Sequence, residues 1–178
     1  MKPVKFLLVC SFMTIGFLSY SQKNKVSTST EVSNNTPFDF LNGNWIVYNN
    51  ESALAAYNKF EPIADGKGIV EQYQNRKGVT SMGIFYQDPV THHWMHTWVS
   101  DNARSVNPIG TRTYEVLQTP GNKKYYFYGE STTNGKIVKD RVVFNYISKD
   151  SLQKIYEVST DNGLSWDCEL KETFKRVN

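Results

Sequence analysis

Ser159-Thr160-Asp161-Asn162-Gly163-Leu164-Ser165-Trp166, followed at once by Asp167-Cys168-Glu169-Leu170, reads as a hairpin. The first part concentrates Asp, Asn and Gly, which tolerate positive φ and bond their own backbone in tight turns. The second part alternates large apolar and charged residues, and residues 152–158 supply a partner strand of the same period. Period-2 alternation gives one dry face and one wet face, so the stretch predicts two antiparallel strands laid against a core.

Working outward, similar runs fill the chain. Residues 45–49, 59–63, 68–74, 80–86, 93–99, 111–117, 125–129 and 137–147 are short and apolar or alternating. Turn formers such as Asp65-Gly66, Asp88-Pro89, Pro120-Gly121-Asn122 and Asn134-Gly135 separate them. Residues 51–58 carry Ala53, Leu54, Ala55 and Ala56 and predict a helical turn; Phe38-Asp39-Phe40-Leu41 predicts a single turn or a plug. The sum is about ten strands with turns every ~8–12 residues. That rhythm predicts an all-β fold, a single antiparallel up-and-down β-barrel with at most short helical turns. Closure removes the sheet edges, and a barrel of this size has room for side chains plus one small ligand.

The ends of the chain read differently. Lys2 and Lys5 precede an uncharged apolar run at 6–17, and Ser19 and Ser21 are small residues placed for cleavage before Gln22. Residues 1–21 therefore predict a signal peptide and a secreted or periplasmic protein. The run is shorter than the ~20 residues a bilayer span needs, so no membrane span is expected after cleavage. Residues 22–37 are polar, rich in Ser, Thr and Asn, and predict a disordered linker; residues 38–178 predict the barrel domain. The formal charge of +3 includes both leader lysines, which leaves the mature chain near neutrality. That excludes a polycation and gives no support for a nucleic-acid partner. Of two cysteines, Cys10 lies in the leader, so Cys168 has no partner for an internal disulfide. Its alternation with Trp166 and Leu170 predicts a core-facing thiol.

The candidate site residues follow from strand parity. Trp94, His96 and Trp98 share one face, with His96 between two tryptophans. Tyr126, Tyr128 and Tyr156 recur at alternating positions, and Glu71, Arg141 and Glu172 fall where alternation can turn them inward. An aromatic-lined interior with a few polar groups suits a small apolar or aromatic molecule. The ligand-binding candidates are therefore Glu71, Trp94, His96, Trp98, Tyr126, Tyr128, Arg141 and Tyr156. His92, His93 and His96 cluster in sequence, but neighbouring strand residues face opposite ways, so no metal site is predicted. No Gly-x-Ser-x-Gly, phosphate loop, His-Glu-x-x-His or Cys pair occurs, so neither a catalytic signature nor a cofactor is expected. The turn Ser159-x-Asp161-x-Gly163-x-x-Trp166 resembles the Asp-box of sialidases and other propellers. It occurs once in a chain too short for a propeller, and its role is structural.

Longer stretches carry a second resemblance. Phe38-Asp39-Phe40 with Gly43-Asn44-Trp45, Tyr86-Gln87-Asp88-Pro89 with Trp94-Met95-His96-Thr97-Trp98-Val99, and Asp140-Arg141-Val142 with the run from Tyr156 to Trp166 stand in order. Together they resemble an uncharacterised bacterial domain family placed with the lipocalin-like, or calycin, barrels. The resemblance implies the barrel, and no activity. Three departures stand out: His96 where Gln is usual, Asn162 for a Gly and Ser100 for an Asp.

The function expected from the sequence is a secreted or periplasmic barrel that binds a small, mostly hydrophobic ligand in its interior. The alternatives are an envelope structural or interaction protein without a small ligand, and a barrel enzyme using His96 with Glu71 or Glu172 as acid and base.

Overall fold

The computed structural model describes residues 36–101, 110–115, 123–133 and 135–177. The expected leader at 1–21, and the expected linker as far as residue 35, lie outside them. The strands are β1 (Gly43–Tyr48), β2 (Leu54–Ile63), β3 (Gly68–Asn75), β4 (Thr80–Gln87), β5 (Trp94–Ser100), β6 (Gly110–Glu115), β7 (Lys124–Thr133), β8 (Lys136–Ser148), β9 (Ser151–Ser159) and β10 (Asp167–Arg176). Each pairs antiparallel with its sequence neighbours, and β1 pairs with β10, which closes a ten-strand barrel in the order β1-β10-β9-β8-β7-β6-β5-β4-β3-β2. Helix among the described residues is confined to two 3-10 turns, Asp39–Leu41 and Ala64–Gly66.

Period 2 decides which residues fill the barrel. On β5, His96 and Trp98 are buried and Trp94 partly so, while Val99 on the other parity faces solvent. On β8 the inward series includes Asp140, Val142 and Phe144, all fully buried. The core runs through Trp45, Val47, Phe60, Ile69, Phe85, Phe127, Phe144, Leu152 and Phe174.

Strands run alternately between two ends. At the basal end, where β1 starts and β10 finishes, Phe38 is fully buried among Phe85, Trp94, Tyr114, Tyr125 and Phe127, with ring centroids 5.1–5.9 Å away. The Phe-Asp-Phe-Leu turn is thus the plug that the sequence suggested. Arg176 latches it: its guanidinium lies 4.1 Å from the centre of the Trp45 ring, and Nη2 donates to the Phe40 carbonyl at 2.9 Å. Nη1 donates to the carbonyl of Asn42. Thr36 packs with the same turn: it is buried, and its Oγ1 donates to Asp39 Oδ1 at 2.7 Å.

Two local expectations are corrected. Residues 51–58 form no helical turn. Asn49 Oδ1 accepts the backbone N–H groups of Glu51 and Ala53 and closes a hairpin, and Leu54 onward is β2, paired with β1 and β3. Cross-strand pairing on both sides overrides the helical preference of Ala and Leu. Cys168 is exposed, not core-facing. The β9–β10 register slips between Cys168 and Leu170, and one extra residue reverses the parity.

The 159–166 turn is built as its composition requires. Asp161 Oδ1 accepts from Ser159 Oγ at 2.7 Å and from the Ser165 N–H at 2.8 Å, while Oδ2 accepts from Ser165 Oγ at 2.6 Å. These hydrogen bonds hold the Asp161 carboxyl far below the usual carboxylate range. Asn162 and Gly163 take φ of 64° and 94°. Asn is among the few side-chain-bearing residues that accept this region readily, so Asn162 suits its place in the turn.

Candidate functional site

A polar belt crosses the barrel halfway along its length. Asn58 on β2, Glu71 on β3, His96 on β5, Lys154 on β9 and Glu172 on β10 are all buried and inward. Glu71 is the hub: its Oε1 accepts from Lys154 Nζ at 2.8 Å and from Asn58 Nδ2 at 3.1 Å. Lys154 Nζ also sits 4.0 Å from the centre of the Trp98 ring, a desolvated cation–π contact. Tyr73 packs edge-on against Trp98 at 5.9 Å and donates its hydroxyl to Glu172 Oε1 at 2.8 Å. His96 lies 4.4 Å from Phe85 and 5.6 and 5.9 Å from Phe127 and Phe144. Its Nε2 is 3.6 Å from Glu71 Oε2, an electrostatic approach rather than a hydrogen bond.

Gly83 makes this geometry possible. A Cβ there would lie 2.8 Å from Glu71 Oε2 and 3.2 Å from His96 Nε2, so only a bare backbone lets the two meet.

The charge states follow from burial and neighbours. Burial raises the Glu71 carboxyl, but the Lys154 ammonium and His96 more than offset it, and the net shift is downward. Burial also raises Glu172, which Lys154 and the Tyr73 hydroxyl only partly counter, so it stays above its ordinary value. Burial lowers His96 to about 4 against the pull of Glu71, so its ring is neutral at pH 7. Burial and the carboxylate of Glu172 together push the Tyr73 hydroxyl up.

Several interior atoms are left without a protein hydrogen-bond partner: Glu71 Oε2, Asn58 Oδ1, Trp98 Nε1 and both ring nitrogens of His96. An unpaired buried polar atom costs roughly 1–3 kcal/mol, and each of these atoms has capacity for a further hydrogen bond.

A second interior pair lies toward the upper end, opposite the plug. Arg112 grips Asp140 through Nε to Oδ1 at 2.7 Å and Nη2 to Oδ2 at 2.9 Å. The Tyr156 hydroxyl is 3.4 Å from Asp140 Oδ2 and 3.3 Å from Ser131 Oγ, and burial pushes it up to about 12.

Of the residues singled out from sequence, the structure gathers Glu71, His96 and Trp98 into the belt, with Tyr156 beside the Arg112–Asp140 pair. Trp94 is inward but packs edge-on against Phe38 at 5.3 Å, as part of the plug. Tyr126, Tyr128 and Arg141 are corrected: they lie on the outer face. Their neighbours Phe127, Asp140 and Val142 are the fully buried ones, and adjacent strand residues face opposite ways. Asn58, Arg112, Asp140 and Lys154 were not among the sequence candidates. The usable signal for Lys154 is its place in the apolar series Leu152, Tyr156, Val158, and for Asp140 its place two before Val142. Among the described residues, no three His, Cys, Asp or Glu side chains are grouped to hold a metal ion. His92 and His93 are exposed, in the β4–β5 turn.

No family model matches the chain, and no curated protein matches it.

Proposed function

We propose that the protein is an exported, lipocalin-like binding barrel that takes one small molecule with an apolar or aromatic body and a hydrogen-bonding head. The head is read by Glu71, His96, Asn58 and the Trp98 indole N–H, and the aromatic side chains around the belt suit an apolar body. The observation that carries this reading is the set of buried, unpartnered donors and acceptors inside an otherwise aromatic interior. A barrel that only needed a core would fill the belt with hydrocarbon at less cost, since a buried ion pair is often no more stable than its apolar replacement. The basal end is filled by Phe38. The charged, then apolar, leader supports export.

Two features weigh against an acid–base enzyme. His96 is fully buried against Phe85, and its carboxylate neighbour Glu71 is already committed to Lys154. One observation favours the interaction-protein reading instead. Tyr57 and Met82, 54% and 50% exposed, flank an open outer groove of about 500 Å³ on β1–β4, with Val99 exposed beside Met82 on β5.

Native mass spectrometry of the protein purified from its own host tests the proposal. A non-covalent adduct that is lost on denaturation, and is absent from a His96→Leu/Glu71→Gln variant purified the same way, is expected. A bare chain mass would overturn it, as would an adduct that survives in that variant.

A further inference from the structure

A second groove, of about 560 Å³, lies on the outer face of β6–β8 and is walled by the β9–β10 turn. Its lining includes Glu115, Tyr128, Glu130, Lys139, Arg141 and Trp166. The aromatic part is held rigid. Tyr128 meets Trp166 edge-on at 5.8 Å and stacks on Tyr126 at 6.1 Å with 14° between the planes. The Arg141 guanidinium lies 4.1 Å from the centre of the Trp166 ring and is fixed by Glu157 Oε2 at 2.5 Å. Glu115, Glu130 and Lys139 are exposed at the rim, and among the described residues their side chains make no hydrogen bond or ion pair.

The chemistry narrows the occupant. The Arg141 charge is balanced by Glu157, and Glu115 and Glu130 outnumber Lys139, so a polyanion such as nucleic acid is repelled. The barrel is closed and offers no edge for an added peptide strand. What remains is a preformed aromatic platform with carboxylate acceptors and an ammonium donor at its border. That fits a neutral polyhydroxylated chain, whose rings present C–H faces to π-surfaces and hydroxyls to the flanks. We propose that this groove binds a neutral oligosaccharide, independently of the interior site.

Cellohexaose, xylohexaose, maltohexaose and N-acetylchitohexaose are titrated into the full chain by calorimetry and by NMR of the indole N–H resonances. At least one is expected to bind with a millimolar or tighter Kd, to move the Trp166 resonance and to leave that of Trp98 in place. Tyr128→Ala is expected to weaken binding about tenfold or more, as loss of an aromatic anchor does. Lys139→Ala, a surface change that leaves the core untouched, is expected to weaken it severalfold. Failure of all four sugars to bind at millimolar concentration would overturn the proposal. So would binding indifferent to both substitutions, or a shift confined to Trp98.

Discussion

Acidification should unload the barrel of stability through His96. The ring is fully buried, and burial lowers its proton affinity from the ordinary 6.5 to about 4. The unfolded chain takes up a proton as pH falls through about 6.5, whereas the folded chain resists until about 4. In that window the unfolded state binds more protons, so stability is complete above it and declines as pH drops. At about 1.4 kcal/mol per unit, the difference amounts to roughly 3 kcal/mol, a large part of the 5–15 kcal/mol typical of a domain. Glu172 works in the opposite sense. Its folded value is raised, so it favours the fold as pH falls toward the ordinary carboxylate range. Glu71, with its value lowered, adds a loss only below that range. Urea denaturation between pH 7.5 and 4.5 should therefore show the wild type weakening, while His96→Gln is flat or slightly inverted and Glu172→Gln is steeper than wild type. Equal slopes for wild type and His96→Gln would refute the assignment of His96 as a buried neutral ring.

Lys154→Met should cost about 3–5 kcal/mol, because it strands the Glu71 carboxylate; Lys154→Met/Glu71→Gln should recover most of that, and denaturant melts of the three proteins at pH 7 report the coupling. Phe38→Ala should cost about 3–5 kcal/mol by emptying the basal plug, measured the same way; a loss under about 1 kcal/mol would show that the plug is dispensable. Cys168 should react stoichiometrically with a thiol reagent in the native state, whereas protection until unfolding would place it inside after all.

The barrel was legible because alternation and turn formers are local signals. On β5 one parity carries Trp94, His96 and Trp98 and the other Met95, Thr97 and Val99, so the inward face was readable from a few residues. On β7 both parities are aromatic, Tyr125 and Phe127 against Tyr126 and Tyr128, and periodicity had nothing to choose between. On β8 apolar residues stand on both parities, Val142 and Phe144 against Val143, so alternation did not decide which way Arg141 faces. The belt was half hidden for a different reason. Lys154 lies 83 residues from Glu71, and Tyr73 lies 99 from Glu172. A lone lysine on a strand reads as solvent-facing until its distant carboxylate is in view. The register slip near Cys168 leaves no mark in the sequence at all.

The seam between β1 and β10 sets an order of events for synthesis. Trp45 pairs with Arg176, and the same arginine ties down the turn that carries Phe40. Every earlier strand can find its neighbour as it emerges, but the cylinder cannot shut until Arg176 has left the ribosome. Until then β1 and β10 are open edges, so closure of the cylinder is the step that joins its first strand to its tenth.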